Sequence, residues 1–168
     1  IVDHDHAPPV AATAEPLAEG ILYARIDAVQ AGAGDAWIAE LTRQAATNRP
    51  GLIVDLRGAE GTDLRSVDQV AGLFVAGGTP LYRVLDADGQ PVGDHHAETV
   101  TSNAVGGWPA MFLIDRATGQ AAELLAAVIQ HRCRVMLIGQ PTRGDGRLRE
   151  RVPLTKTESV DLPIRRVA

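Results

Sequence analysis

The chain has 168 residues, 45% of them apolar, and a formal net charge of −5, which fits one globular domain with a sizeable core and excludes a broad basic field for nucleic acid. Aromatic residues make up only 4%, too few for a base-stacking surface, and the longest apolar run falls far short of a membrane span. The lone Cys133 excludes an internal disulfide.

The chain begins at Ile1 without Met and carries no recognisable leader, so a fragment or processed form is expected and any address would lie upstream. Residues 1–19 hold three prolines and many alanines without helical or strand period, and read as a linker or N-terminal arm ahead of a core domain over 20–168. Alternation from Ile21 to Ile26 predicts a strand over 21–27. Ala36, Ile38, Ala39 and Leu41 predict a helix over 34–47, stopped by Asn48-Arg49-Pro50-Gly51. The run Leu52-Ile53-Val54-Asp55-Leu56 suits a strand over 51–56 buried on both faces. Val67, Val70, Ala71 and Phe74 mark a helix over 65–76, closed by Gly77-Gly78. Leu81 to Leu85 and Gln90 onward flank Asp86-Ala87-Asp88-Gly89, a hairpin turn. Residues 91–108 are polar and irregular. Ala110 to Ile114 predicts a strand over 110–115. Leu124, Leu125, Val128 and Ile129 place a helix over 118–132. Val135 to Ile138 is a fourth core strand, and Val152 to Leu154 and Val160 to Ile164 are two short final strands. Strands alternating with helices predict an α/β fold with a mostly parallel sheet flanked by helices, with Ile53, Val54, Leu113, Ile114, Leu125 and Leu137 in its core.

Four segments, in order, carry a resemblance. Gly51-Leu-Ile-Val-Asp-Leu-Arg57 with Gly61 resembles a strand and turn reading Asp-Leu-Arg-Asn-Asn-Pro-Gly-Gly. Val70-Ala-Gly-Leu-Phe74 followed by Gly78-Thr79 is similar to "Ala-Asp-Leu-Phe … Gly-Thr". Met111-Phe-Leu-Ile-Asp115 through Ala121-Ala-Glu123 and Gln130 resembles a strand and helix usually reading Ser-Ala-Ser-Ala-Ser-Glu. Gly139-Gln-Pro-Thr-Arg-Gly144-Asp-Gly146 is similar to Gly-Glu-Lys-Thr-Phe-Gly-Lys-Gly. Together these resemble the core domain of the C-terminal processing (tail-specific) serine peptidases over roughly residues 20–164, without their PDZ domain. The resemblance implies a crotonase/ClpP-like core, a polypeptide tail or small ligand as partner, no cofactor and no metal, possible homo-oligomerisation, and an extracytoplasmic (periplasmic or secreted) location.

The same resemblance implies where the chemistry would sit. These peptidases use a Ser nucleophile, a Lys base twenty-five residues later and a supporting Gln four residues beyond. Those positions fall on Gln120, Asp145 and Arg149, so all three are replaced, and a primary amide cannot act as the serine nucleophile. The oxyanion donors would be backbone amides near Gly61 and at Ala121, with Thr62 standing where the pattern has Gly. A C-terminal-processing-peptidase-like domain without catalysis, acting in peptide or ligand binding, is therefore expected. The alternatives are an active serine/threonine-type endopeptidase with a displaced nucleophile, and an oligomeric scaffold. Thr118 is the fallback nucleophile; its plainer role is a helix N-cap. Ser66 reads as a surface or capping residue, and Ser102 lies in the irregular loop. Lys156 is the single lysine among sixteen basic residues, and Arg cannot replace it as a base.

Other clusters carry less. Asp3-His4-Asp5-His6 has metal-ligand types but lies in the arm. His95 and His96 are adjacent on an extended segment and point opposite ways. His131 and Arg132 suit a helix C-terminus. Glu123 is either a satisfied helix residue or a group facing the cleft.

Overall fold

In the computed structural model, residues 12–17, 20–45, 51–101, 105–133, 135–144, 146–153 and 159–167 are described. The apolar segments assemble a five-stranded sheet in the order β1-β2-β4-β8-β9. Its members are β1 (Ala12–Pro16), β2 (Ile21–Ile26), β4 (Gly51–Asp55), β8 (Ala110–Ile114) and β9 (Met136–Gly139). Strands β2, β4, β8 and β9 run parallel, and β1 is antiparallel at the edge. Part of the expected N-terminal arm is thus a strand: Ala14 turns into the core opposite Ala24, a pairing that the Ala- and Pro-rich composition conceals.

Helices α1 (Ala33–Gln44), α2 (Leu64–Ala71) and α3 (Gln120–Cys133) pack against one face of this sheet. α1 buries Ala33, Trp37 and Leu41, spaced four apart on one side of the helix. It crosses α2 at Gly34, where an added Cβ would run into Gln69 and the Ser66 backbone. α2 opens on Asp63, whose carboxylate accepts the Ser66 amide at 2.9 Å. Ser66 itself is buried, and its hydroxyl accepts the Gly34 amide at 3.0 Å; it is a joint between two helices and not a surface residue. Phe74, just after α2, meets Phe112 of β8 edge to face at 5.6 Å. Leu125 and Ile129 of α3 are fully buried.

The register explains which core expectations hold. Leu22, Leu52 and Ala110 align across the sheet, as do Ala24, Val54, Phe112 and Leu137, and this row faces the helices. Val54, Ile114 and Leu125 are buried as expected. Ile53, Leu113 and Leu137 are only half-buried. Ile53 and Leu113 point to the opposite face with Met111, Met136 and Ile138, and Met136 is 65% exposed there. Leu137 belongs to the helix-facing row but sits on the edge strand. An apolar run suits a doubly covered strand, yet here one face is open among the described residues.

A second, antiparallel sheet has the order β10-β11-β6-β7: β6 (Pro80–Leu85), β7 (Pro91–His96), β10 (Arg147–Pro153) and β11 (Ser159–Val167). The β6–β7 hairpin turns where expected, with the Asp86 carboxylate accepting the amides of Asp88 and Gln90 at 3.0 and 2.8 Å. The pair β3 (Ala28–Val29) and β5 (Glu60–Gly61) is parallel and sets β5 against α3.

Candidate functional site

The start of α3 is held from below by a dense set of hydrogen bonds. Asp115, at the end of β8, accepts the amides of Gly58, Ala117 and Thr118, each at 3.0 Å. The Gly58 amide leads these donors in holding its carboxyl below the usual range. Thr118 is fully buried; its hydroxyl donates to the Leu56 carbonyl at 2.9 Å and accepts the Asp115 amide at 3.1 Å. It serves the turn before the helix and does not cap α3. The Gly119 amide donates to the Ala59 carbonyl at 3.0 Å, which ties the 57–61 turn to the helix start. That turn is braced by Asp55, wholly buried, which accepts the Tyr23 hydroxyl at 2.5 Å and the Arg57 guanidinium at 2.7 Å. Burial alone would raise its carboxyl, but the Arg57 and Tyr23 bonds outweigh burial and hold it well below the carboxylate range.

On this base sits one strained residue. Gln120, the first residue of α3, has φ 54°, the sole positive φ outside glycine among the described residues. A left-handed backbone at a non-glycine residue is held only where the surroundings over-determine it. The carboxamide of Gln120 can donate and accept hydrogen bonds but cannot serve as an alcohol nucleophile. The next residue, Ala121, brings a first-turn amide of the helix, a donor without an intrahelical acceptor.

The loop after β9 folds over the same helix start. Its Arg143 amide donates to the Thr118 carbonyl at 3.0 Å. Glu123 accepts the Thr142 hydroxyl at 2.7 Å and the Gly144 amide at 2.6 Å, so it pins this loop, and it also lines the cavity beside Gln120. The Arg143 guanidinium lies against Gly119 and pairs with Glu60 of the turn. This ion pair bridges the two segments that flank Gln120.

Beside Gln120 opens a cavity of 390 Å³ with an apolar floor of Leu81, Leu124 and Val128 and a rim that includes Arg132 and Arg147. A second cavity of 480 Å³ adjoins it along the hairpin, and the two share Tyr82 and Arg132. Under the second cavity, the buried Asp68 accepts the Tyr82 hydroxyl at 2.9 Å and meets His95 Nδ1 at 2.7 Å. The His95 and Tyr82 rings stack at 4.7 Å. Burial raises the Asp68 carboxyl, with His95 pulling against it.

Of the residues singled out by sequence, Gln120 and Ala121 lie together at the helix start, and Gly61 lies in β5 beside α3. Gly61 is required to be glycine, since a Cβ would collide with the Val29 carbonyl. Thr62 is exposed in the following turn. Asp145, Ser102, Lys156 and residues 3–6 lie outside the described residues, and Arg149 is in β10 with its side chain outside them. His95 turns inward and His96 is exposed, as alternation requires. Among the described residues no group of three or more His, Cys, Asp or Glu is placed to hold a metal. Burial pushes the Cys133 thiol up to about 11, away from nucleophilic use. Sequence reasoning missed the Arg143–Glu60 bridge, the cavity walls from β6 and the Asp68–Tyr82–His95 cluster. All join segments distant in the chain, and no local spacing announces them.

Comparison with known proteins fixes the lineage. The chain is 24% identical over 114 residues to the carboxy-terminal processing protease CtpB of Bacillus subtilis, covering 68% of this chain. It is 28% identical over 140 residues to a carboxyl-terminal-processing protease of Picosynechococcus, covering 79% of this chain. It spans only 23% and 31% of the length of these two relatives. Among solved structures, a photosystem II D1 C-terminal processing protease covers 97% of this chain at TM-score 0.72 and 21% identity, and this chain covers 44% of it. A lipoprotein from Streptococcus agalactiae covers 94% at TM-score 0.71 and 18% identity, with 58% of that chain matched. The profile of peptidase family S41 matches residues 20–168, and the chain belongs to that family.

Proposed function

We propose that this chain is a non-catalytic S41 domain that binds an extended polypeptide tail, seating an apolar side chain in the cavity beside Gln120. The observation that carries the reading is Gln120 itself: the backbone keeps a strained φ of 54° at the helix start, while the side chain there offers an amide and no hydroxyl. By analogy to the family, backbone amides at Ala121 and near Gly61 are proposed as donors to a ligand carbonyl, although Ala121 is buried and neither residue lines the cavity. Residues 20–168 form the peptidase-like core in this reading, with residues 1–19 leading into it. An extracytoplasmic location is proposed with it, by analogy to the family; among the described residues no helix is long and apolar enough to cross a membrane.

The displaced-nucleophile alternative finds little support at Thr118, whose hydroxyl is buried and already donated to Leu56. The scaffold reading draws on one observation, the open sheet face with Met111, Met136 and Ile138 exposed. Size-exclusion chromatography with light scattering tests it: a concentration-independent monomer removes the scaffold reading. The peptide reading is tested by fluorescence anisotropy with short leucine-bearing peptides. Saturable binding, weakened by Leu124→Asp in the cavity floor, is expected; no binding by any apolar peptide defeats it.

A further inference from the structure

We infer that Arg132 is the specificity determinant of this groove, and that the ligand it selects carries an acidic side chain a short way along from the apolar residue seated beside Gln120. The inference rests on the peptide-binding reading and names the chemistry of its ligand.

Three observations carry it. Both cavities are lined by Tyr82 and Arg132, so Arg132 stands between them and faces space on either side. Its position is set by the fold: it lies in the last turn of α3, and its Nε donates to the Leu81 carbonyl at 3.1 Å. That bond fixes the planar guanidinium and leaves the Nη groups, which have no acidic partner among the described residues.

The other charges along the second cavity are already matched. Arg83 is paired with Asp94 at 2.6 Å, and His95 is engaged through Nδ1 by Asp68. His96 is exposed at the rim. On the Gln120 side, Glu123 is occupied by Thr142 and Gly144, and Arg147 adds a further cation. The groove is thus apolar at one end and carries an uncompensated guanidinium at its centre. A carboxylate is the complement of a fixed planar fork. Because space lies on both sides of Arg132, with His95 lining the far cavity, an extended ligand has room to run on beyond it, and the carboxylate it presents is a side chain and not the chain terminus.

The test compares short fluorescent peptides with one leucine followed by either glutamate or glutamine, each with a free and an amidated C-terminus. Binding is read by anisotropy at low and high salt, with circular dichroism confirming that each variant is folded. The glutamate peptide should bind roughly tenfold tighter than the glutamine peptide, the size of one charge-assisted bond, whatever the C-terminus. High salt should shrink that preference. Arg132→Gln keeps a donor for the Leu81 carbonyl but not the charge, and should cut the glutamate preference to about threefold or less; an undiminished preference in this variant overturns the assignment to Arg132. Equal binding of glutamate and glutamine peptides by the unmodified chain overturns this inference and leaves the peptide reading intact. A preference that follows the free C-terminus and ignores the side chain also overturns it. Absence of binding by every peptide overturns both readings together.

Discussion

The floor of the candidate site and its rim are built by opposite rules. The floor comprises Asp55, Thr118, Asp115 and the underside of α3. It is buried or fully hydrogen-bonded, and its bonds run between backbone and fixed side chains. The rim comprises Gln120, Arg143 and Glu60, with a left-handed residue and an exposed ion pair. Floors of this kind hold a shape that individual side chains above can change without collapse. In the proposed reading the start of α3 keeps its shape from below, while Gln120 above it offers an amide and no hydroxyl.

That contrast breaks down first if the floor proves soft. Leu125→Ala, under the middle of α3, should destabilise by about 2–5 kcal/mol through lost burial and a residual cavity, measured by urea denaturation. A loss below about 1 kcal/mol shows that α3 is not anchored there. Asp55→Asn should cost about 2–3 kcal/mol, since the charge and one of the two acceptor oxygens that meet Tyr23 and Arg57 are lost. It also carries a pH signature. The Asp55 carboxyl is held below its ordinary range in the folded chain, so its stabilisation is complete above the unfolded pKa and is lost as pH falls through the folded value. The unmodified chain should therefore lose stability below about pH 4, and Asp55→Asn should flatten that slope. An unchanged slope assigns acid lability to other carboxyls. Thr118→Val keeps the shape but removes the hydroxyl that accepts the Asp115 amide and donates to the Leu56 carbonyl, and about 1–2 kcal/mol of loss is expected.

The rim should respond in the other direction or hardly at all. Gln120→Gly relieves the left-handed backbone and should stabilise by about 1 kcal/mol. Destabilisation by this change means the Gln120 side chain supports the fold. Arg143→Ala removes an exposed ion pair and should change stability by less than about 1 kcal/mol.

How much of this was legible beforehand follows the same division. The helix over 118–132 and the strands around it were readable because apolar spacing records local periodicity, and the structure places α3 within two residues of that reading. Ile53 and Leu113 were misread because a short apolar run says that a strand is in a core but not whether both faces are covered. β1 was hidden in a segment whose prolines mask pairing. At the site, the resemblance pointed to Gln120, but φ at that residue has no signature in composition. The Arg143–Glu60 bridge joins positions 83 apart in sequence, a pairing set by how the loop after β9 settles on α3.

The central claim is that this S41 domain binds without cutting. Its most direct test incubates the unmodified chain with an unfolded protein substrate and, in parallel, with a labelled fluorophosphonate, following cleavage and covalent labelling over time. Neither cleavage nor labelling above that of denatured chain is expected. Turnover that is abolished by Thr118→Ala or by Ser102→Ala contradicts the account and establishes a displaced nucleophile.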